Sequence, residues 1–144
     1  PRLDKLVAIK MLLSSELNEV AIARFEREAR VISQIEHYNV ITIHDYGMTE
    51  RNRPYMVMDY VQGESLLERI QRNGSLPLAT ASSILIQVCT GLQEAHNKGI
   101  IHRDLKPENI LLQPLQMTSE FQTLAFVHLA NLEIEVHPIR KRFA

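Results

Sequence analysis

The segment His102-Arg-Asp-Leu-Lys-Pro-Glu-Asn109 sets a carboxylate, an ammonium and a carboxamide close together, between the apolar flanks Ile100-Ile101 and Ile110-Leu-Leu112. A carboxylate can take a proton from a hydroxyl. An ammonium can neutralise developing negative charge, and a carboxamide oxygen suits a hard cation. Two further charged residues stand in apolar surroundings. Lys10 lies inside Lys5-Leu-Val-Ala-Ile-Lys-Met-Leu-Leu13, and Glu28 lies on or beside an apolar stripe. Taken alone, Lys10 fits an edge or snorkelling lysine as well as a functional one. Glu28 fits a boundary glutamate that reaches water as well as a buried acid that needs a partner.

The elements that must position these groups follow from periodicity. Residues 5–13 read as a strand, with Leu6, Ala8, Lys10 and Leu12 on one face and Val7, Ile9, Met11 and Leu13 on the other. Residues 16–36 read as a helix, because Leu17, Val20, Ala21, Phe25, Ala29, Ile32 and Ile35 recur at three- and four-residue spacing. Residues 39–46 and 54–61 read as strands joined by the polar turn 47–53. Gly63 ends the extended run, Ser65 to Asn73 forms a short helix, and residues 79–98 form a longer one with Ile84, Leu85, Val88, Leu92 and Ala95 on one side. Strands and helices do not alternate regularly, so the expected class is α+β rather than a doubly wound sheet.

The 144 residues suit one ordinary domain, and 45% apolar with 23% charged residues is a globular composition. A net charge of -1 gives no reason to expect nucleic acid or an acidic membrane surface as partner. The lone Cys89 has apolar neighbours and reads as a reduced, buried thiol of a cytoplasmic protein. No apolar run is long enough for a membrane span, and a chain beginning on Pro1 reads as an excised piece or a fragmentary reading of a longer one.

His102 to Asn109 matches H-R-D-L-x-x-x-N, and through it the chain resembles the protein kinase superfamily, more narrowly the Ser/Thr protein kinases of bacterial type. Val7-Ala8-Ile9-Lys10 is similar to the V-A-I-K motif. The resemblance implies ATP and Mg2+ as cofactors and a protein Ser/Thr hydroxyl as acceptor. It makes Lys10 the residue that grips the nucleotide phosphates and Glu28 its partner, with Glu26 the runner-up. Pro54 to Val61 resembles the strand entering the hinge, with Met58 as gatekeeper, Asp59 to Val61 offering backbone groups to adenine, and Ala8 and Leu111 sandwiching the ring. The same resemblance makes Asp104 the residue that orients the hydroxyl or accepts its proton, Lys106 the one that neutralises the moving phosphoryl group, and Asn109 a magnesium ligand. It gives His102 a structural role beneath the loop and Arg103 a pairing role toward an activation-loop phosphate.

The pattern also departs from the family. No glycine lies among the nine residues before Lys10, and residues 110–144 contain neither aspartate nor glycine, so Asp-Phe-Gly is missing. The nearest candidate for the strand leading to it is Leu124-Ala-Phe-Val-His-Leu-Ala130. The expected organisation is a partial kinase domain over 1–112, with an N-lobe part and hinge over 1–61 and the start of the C-lobe over 62–112, followed by a divergent tail over 113–144. The expected function is that of a Ser/Thr kinase domain fragment, weak or inactive alone. The alternative is a pseudokinase-like interaction module. Exposed lobe surfaces such as Ile84, Leu85 and Val88 are expected to need a covering partner or to aggregate.

Overall fold

The computed structural model describes residues 4–12, 15, 17–114, 123–127 and 134–142, the last segment and residues 4–5 by backbone alone. Two compact units emerge. One comprises residues 1–34, 42–60 and 130–144, the other residues 35–41 and 61–129.

The first unit is built on β1 (Asp4–Leu12), α1 (Glu19–Ile32), β2 (Ile43–Met48), β3 (Pro54–Asp59) and, from the far end of the chain, β7 (Ile134–Arg142). They form a four-stranded sheet in the order β2-β3-β1-β7, every pair antiparallel. β1 is therefore interior, and both of its faces are covered: Val7, Ala8, Lys10 and Leu12 are all buried. Helix α1 starts at Glu19, later than its apolar period alone predicts, because Asn18 caps it: the Asn18 Oδ1 accepts from Ala21 N–H at 2.9 Å. It packs on β2 and β3 through Phe25, Ala29 and Ile32. It ends at Ile32, so the buried Ile35 belongs to the other unit rather than to the helix. The turn between β2 and β3 closes on Thr49, whose N–H reaches the Arg53 oxygen at 2.9 Å, and Asn52 takes a left-handed φ of 54° there.

The second unit holds β4 (Glu64–Ser65), α2 (Leu66–Asn73), α3 (Leu78–Asn97), β5 (Ile110–Pro114) and β6 (Thr123–Val127), with a three-stranded sheet in the order β4-β5-β6. Ser65 starts α2 through a capping box with Glu68: its side chain accepts from the Glu68 N–H at 3.1 Å, and a Glu68 oxygen accepts from the Ser65 N–H at 2.7 Å. Gly63 lets two backbones meet: a Cβ there would stand 1.8 Å from the Leu112 oxygen. Asn39, fully buried, ties the unit together. Its Nδ2 donates to Gln87 Oε1 at 3.1 Å and to the Ala125 oxygen at 2.9 Å, and its Oδ1 accepts from Thr90 Oγ1 at 3.1 Å. Gln87 in turn bonds the backbone of β6 at Thr123 and Ala125.

Three sequence expectations change. The strand read over 39–46 begins at Ile43, because Asn39 to Ile41 is held by the second unit, where Val40 bridges Val127. Cys89 is exposed, not buried: the buried stripe of α3 is Ile84, Val88, Gly91 and Ala95, and Cys89 lies off it. For the same reason Leu85 is 55% exposed while Ile84 and Val88 are covered within the unit. After residue 112, β5 continues to Pro114, β6 pairs with β5, and β7 pairs with β1. His128, Leu129 and Ala130 lie outside the described residues.

Candidate active site

In the first unit, β1 and β3 bring three predicted residues into register. Ala8 stands opposite Met58, and Val7 opposite Asp59. Ala8 and Met58 are both buried. The Asp59 N–H is donated to the Thr42 oxygen at 3.0 Å and its carboxylate takes His44 Nε2 at 2.8 Å. Lys10 lies one pleat further along β1, opposite Met56, and only 3% of it is exposed. Burial pushes the Lys10 ammonium down to a pKa of about 7, and the charge of Glu28 pulls it part of the way back. Glu28 Oε1 accepts from Arg24 Nε at 3.1 Å, and its Oε2 is buried without a hydrogen-bond partner among the described residues.

In the second unit, the loop 102–109 folds its polar groups together. His102 is buried, and its Nδ1 accepts from the Asp104 N–H at 3.2 Å, which leaves its other ring nitrogen as the protonated one when the ring is neutral. Arg103 is held at φ 62°, a conformation that costs a non-glycine residue free energy and so marks a loop constrained by its neighbours. Lys106 Nζ lies 3.3 Å from Asp104 Oδ2. Asn109, at the end of a single helical turn over Pro107–Asn109, donates from Nδ2 to the Asp104 carbonyl at 2.9 Å and, at 3.4 Å, to Asp104 Oδ2. Its Oδ1 remains as the acceptor suited to a cation. Asp104 and Lys106 side chains are each 47% exposed, open to a macromolecular acceptor. Leu111 is half-buried in β5, opposite Ser65 and Phe126, and Val61 is half-buried.

The fit to magnesium is partial. Among the described residues no three His, Cys, Asp or Glu side chains cluster as a metal site. Asn109 Oδ1 suits a cation that takes one or two protein oxygens and fills its shell with phosphate and water.

Sequence reasoning missed Asn39, which anchors α3 and β6. Its only signal was a polar residue ahead of the apolar pair Val40-Ile41. It also missed Glu64, which accepts from Arg69 Nε at 2.7 Å and Arg72 Nη2 at 2.8 Å beside the start of α2.

Comparison with known proteins bears on the family and the fold. Residues 2–124 match the family described as protein kinase domain. The chain is 39% identical over 120 residues to the serine/threonine-protein kinase pkn3 of Myxococcus xanthus, covering 83% of this chain and 22% of that protein. It is 43% identical over 110 residues to the probable serine/threonine-protein kinase PknB of Lactococcus lactis, covering 76% and 17%. The chain thus spans about a fifth of the length of these relatives. The solved kinase domain of PknI from Mycobacterium tuberculosis superposes with a TM-score of 0.71 at 26% identity, covering 85% of this chain and 48% of that one. No described helix is long and apolar enough to cross a membrane.

Proposed function

Because the chain belongs to the protein kinase domain family, we propose that it is part of a Ser/Thr protein kinase that transfers the terminal phosphoryl group of ATP to protein Ser or Thr hydroxyls. The observation that carries this reading is the Asp104–Lys106–Asn109 cluster on the strained loop.

Asp104 orients the acceptor hydroxyl and takes its proton. Lys106, 3.3 Å from that carboxylate, holds it in place before substrate arrives and then neutralises charge on the phosphoryl oxygens. Lys10 binds the nucleotide phosphates; a buried ammonium with a pKa of about 7 regains its full charge when an anion arrives. Glu28 holds that ammonium from α1. Asp59 to Val61 offer backbone groups to the adenine edge, Met58 stands behind it, and Ala8 and Leu111 contact its faces. Magnesium, when bound, would neutralise the phosphates, with Asn109 Oδ1 as its protein ligand. The site of action in this reading is the cytoplasm, where ATP is abundant.

The activity of this chain by itself is weak. Residues 110–144 hold no aspartate to serve as the second metal-holding group, and phosphoryl transfer depends almost wholly on positioning and charge neutralisation. The same observation favours a second reading, an interaction module without catalysis, whose partner covers the exposed Leu78, Leu85 and Ile86 of α3. A fluorescent ATP analogue and a phosphate-transfer assay separate the two. Nucleotide binding lost in Lys10→Met, with slow transfer lost in Asp104→Asn, supports the kinase reading. A folded chain that binds no nucleotide overturns it. Transfer at ordinary kinase rates that disappears in Asp104→Asn overturns the weak-activity part alone.

A further inference from the structure

β2 is not a regular strand. It pairs Ile43 with Met58 and Asp45 with Val57, so His44 is an extra residue in the ladder. Two successive exposed residues, His44 and Asp45, break the alternation there. A bulge of this kind re-aims a side chain. The His44 ring is aimed at the last residue of β3, with Nε2 at 2.8 Å from Asp59 Oδ1.

Asp59 is where β3 leaves the sheet. β1 holds it from one side, with Val7 opposite, and that register goes no further along β3. On the other side the register with β2 stops one residue earlier, at Ile43 and Met58. Two contacts extend the hold of β2 to Asp59: its N–H is donated to the Thr42 oxygen at 3.0 Å, and its carboxylate meets His44. Tyr60, the next residue, is already 37% exposed. Ends of elements are where structure opens locally, and here such an end is gripped by backbone and side chain together. The His44 and Asp59 side chains are 23% and 29% exposed. A pair with this much water beside it contributes little to folding as a whole, so its effect is on the geometry of the strand end.

We propose that His44 is a positioning residue for nucleotide. Through Asp59 it holds the end of β3 in the conformation that meets the adenine base, without acting on the base itself. The proposal rests on the reading of Asp59 to Val61 as the backbone that adenine meets. A strand end already fixed by β2 costs less to order when the base arrives. The effect is confined to the base, because Lys10, which takes the phosphates in that reading, stands opposite Met56 and is placed by β1.

The test reads base and phosphates separately in the full chain. Adenosine, which has no phosphates, and inorganic tripolyphosphate, which has no base, each compete with a fluorescent ATP analogue. His44→Leu should weaken adenosine about three- to tenfold and change tripolyphosphate by less than about twofold. His44→Gln puts an amide N–H near the place of Nε2 and should restore most of the adenosine affinity, which a space-filling role would not give. Asp59→Ala should lose the same factor, and the double variant with His44→Leu should lose no more than either change alone. His44→Asn, polar but too short to reach Asp59, repeats the comparison in case the leucine variant does not fold. Unchanged adenosine affinity, equal losses for both probes, no rescue by glutamine, or additive losses in the double variant each overturn the proposal. If the parent chain binds the ATP analogue and the His44 variants match it for adenosine, the proposal alone fails. A parent chain that binds no ATP analogue overturns the nucleotide reading, and the proposal with it.

Discussion

Asn109 donates its side-chain N–H to the backbone carbonyl of Asp104 at 2.9 Å, so the two ends of the loop 104–109 hold each other across a single turn. The bond fixes the carboxamide by its nitrogen and leaves its oxygen for a cation. Asn109→Ala removes both the clasp and the proposed magnesium ligand. Asn109→Asp keeps an oxygen but brings a second negative charge beside Asp104, where the present contact is 3.4 Å. Magnesium-dependent affinity for a fluorescent ATP analogue should fall roughly 10- to 100-fold in the alanine variant. Metal-free nucleotide binding should change little. The chain has no tryptophan, so the probe's own signal is read without background from that residue.

Lys106 is a case where stability and chemistry should part. Its ion pair with Asp104 is half exposed on both sides. Exposed pairs of this kind contribute about 0–1 kcal/mol. Lys106→Ala should therefore melt within a few degrees of the parent chain. Whatever phosphate transfer the chain supports should drop at least about 100-fold, because in the proposed reading the lost charge acts on the moving phosphoryl group. Calorimetry and a transfer assay on the same preparation give the comparison. A large loss of melting temperature with unchanged transfer would contradict it.

The loop was legible because its chemistry is local. His102 to Asn109 carries its meaning within eight consecutive residues, and the structure closes them through contacts spanning at most five positions. The α+β segregation and both main helices were legible for a similar reason, since apolar spacing fixes a buried face. What escaped is long-range. Nothing near Asn39 announces Gln87, 48 positions away, or Ala125, 86 away. Nothing in the aperiodic segment after Leu112 announces a partner at the other end of the chain, because strand pairing is set by the edge that needs filling and not by local pattern. Cys89 misled for a different reason. Its apolar neighbours Ile86 and Val88 lie on different faces of α3, one exposed and one buried, so adjacency in sequence said nothing about side.

Lys10 makes stability depend on pH in a stated direction. Its folded pKa is about 7, below the ordinary 10.5. Between those values the unfolded chain binds a proton that the folded chain has lost, so folding becomes more favourable as pH rises through that window. The slope approaches about 1.4 kcal/mol per pH unit, on the order of 5 kcal/mol in all if no other group titrates. Chemical denaturation at pH 7 and pH 9 should show this rise, and Lys10→Met should abolish it. Glu28→Gln removes the charge that holds the pKa up and should lower it further. Nucleotide binding has the opposite dependence. Phosphates favour the charged ammonium, so binding near pH 8 should take up a proton and weaken as pH rises. Titration calorimetry in two buffers of different ionisation enthalpy reads that proton directly.

Three glycines of the second unit should fail in three ways when changed to alanine. Gly63 has no room: the new Cβ would lie 1.8 Å from the Leu112 oxygen and 2.8 Å from its carbonyl carbon, and both are backbone atoms. The pairing of Glu64 with Leu112, which sets β4 beside β5, must give way. Gly91 has tight but adjustable room, with the Asn39 oxygen at 3.0 Å and Val40 Cγ2 at 3.2 Å. Gly74 has open space but a φ of 78° with ψ −78°, so its cost is conformational only, about 1–2 kcal/mol. Overpacking in a well-filled core costs about 1–3 kcal/mol when neighbours can shift. Gly91→Ala should fall in that range, and Gly63→Ala should exceed it. The order expected from denaturant midpoints is Gly63→Ala worst, then Gly91→Ala, then Gly74→Ala. Gly63→Ala should also loosen the loop 102–109, because β5 begins at Ile110, directly after Asn109. Faster amide exchange at Asp104 and Asn109 in that variant, and not in Gly74→Ala, is the measurement that checks the link.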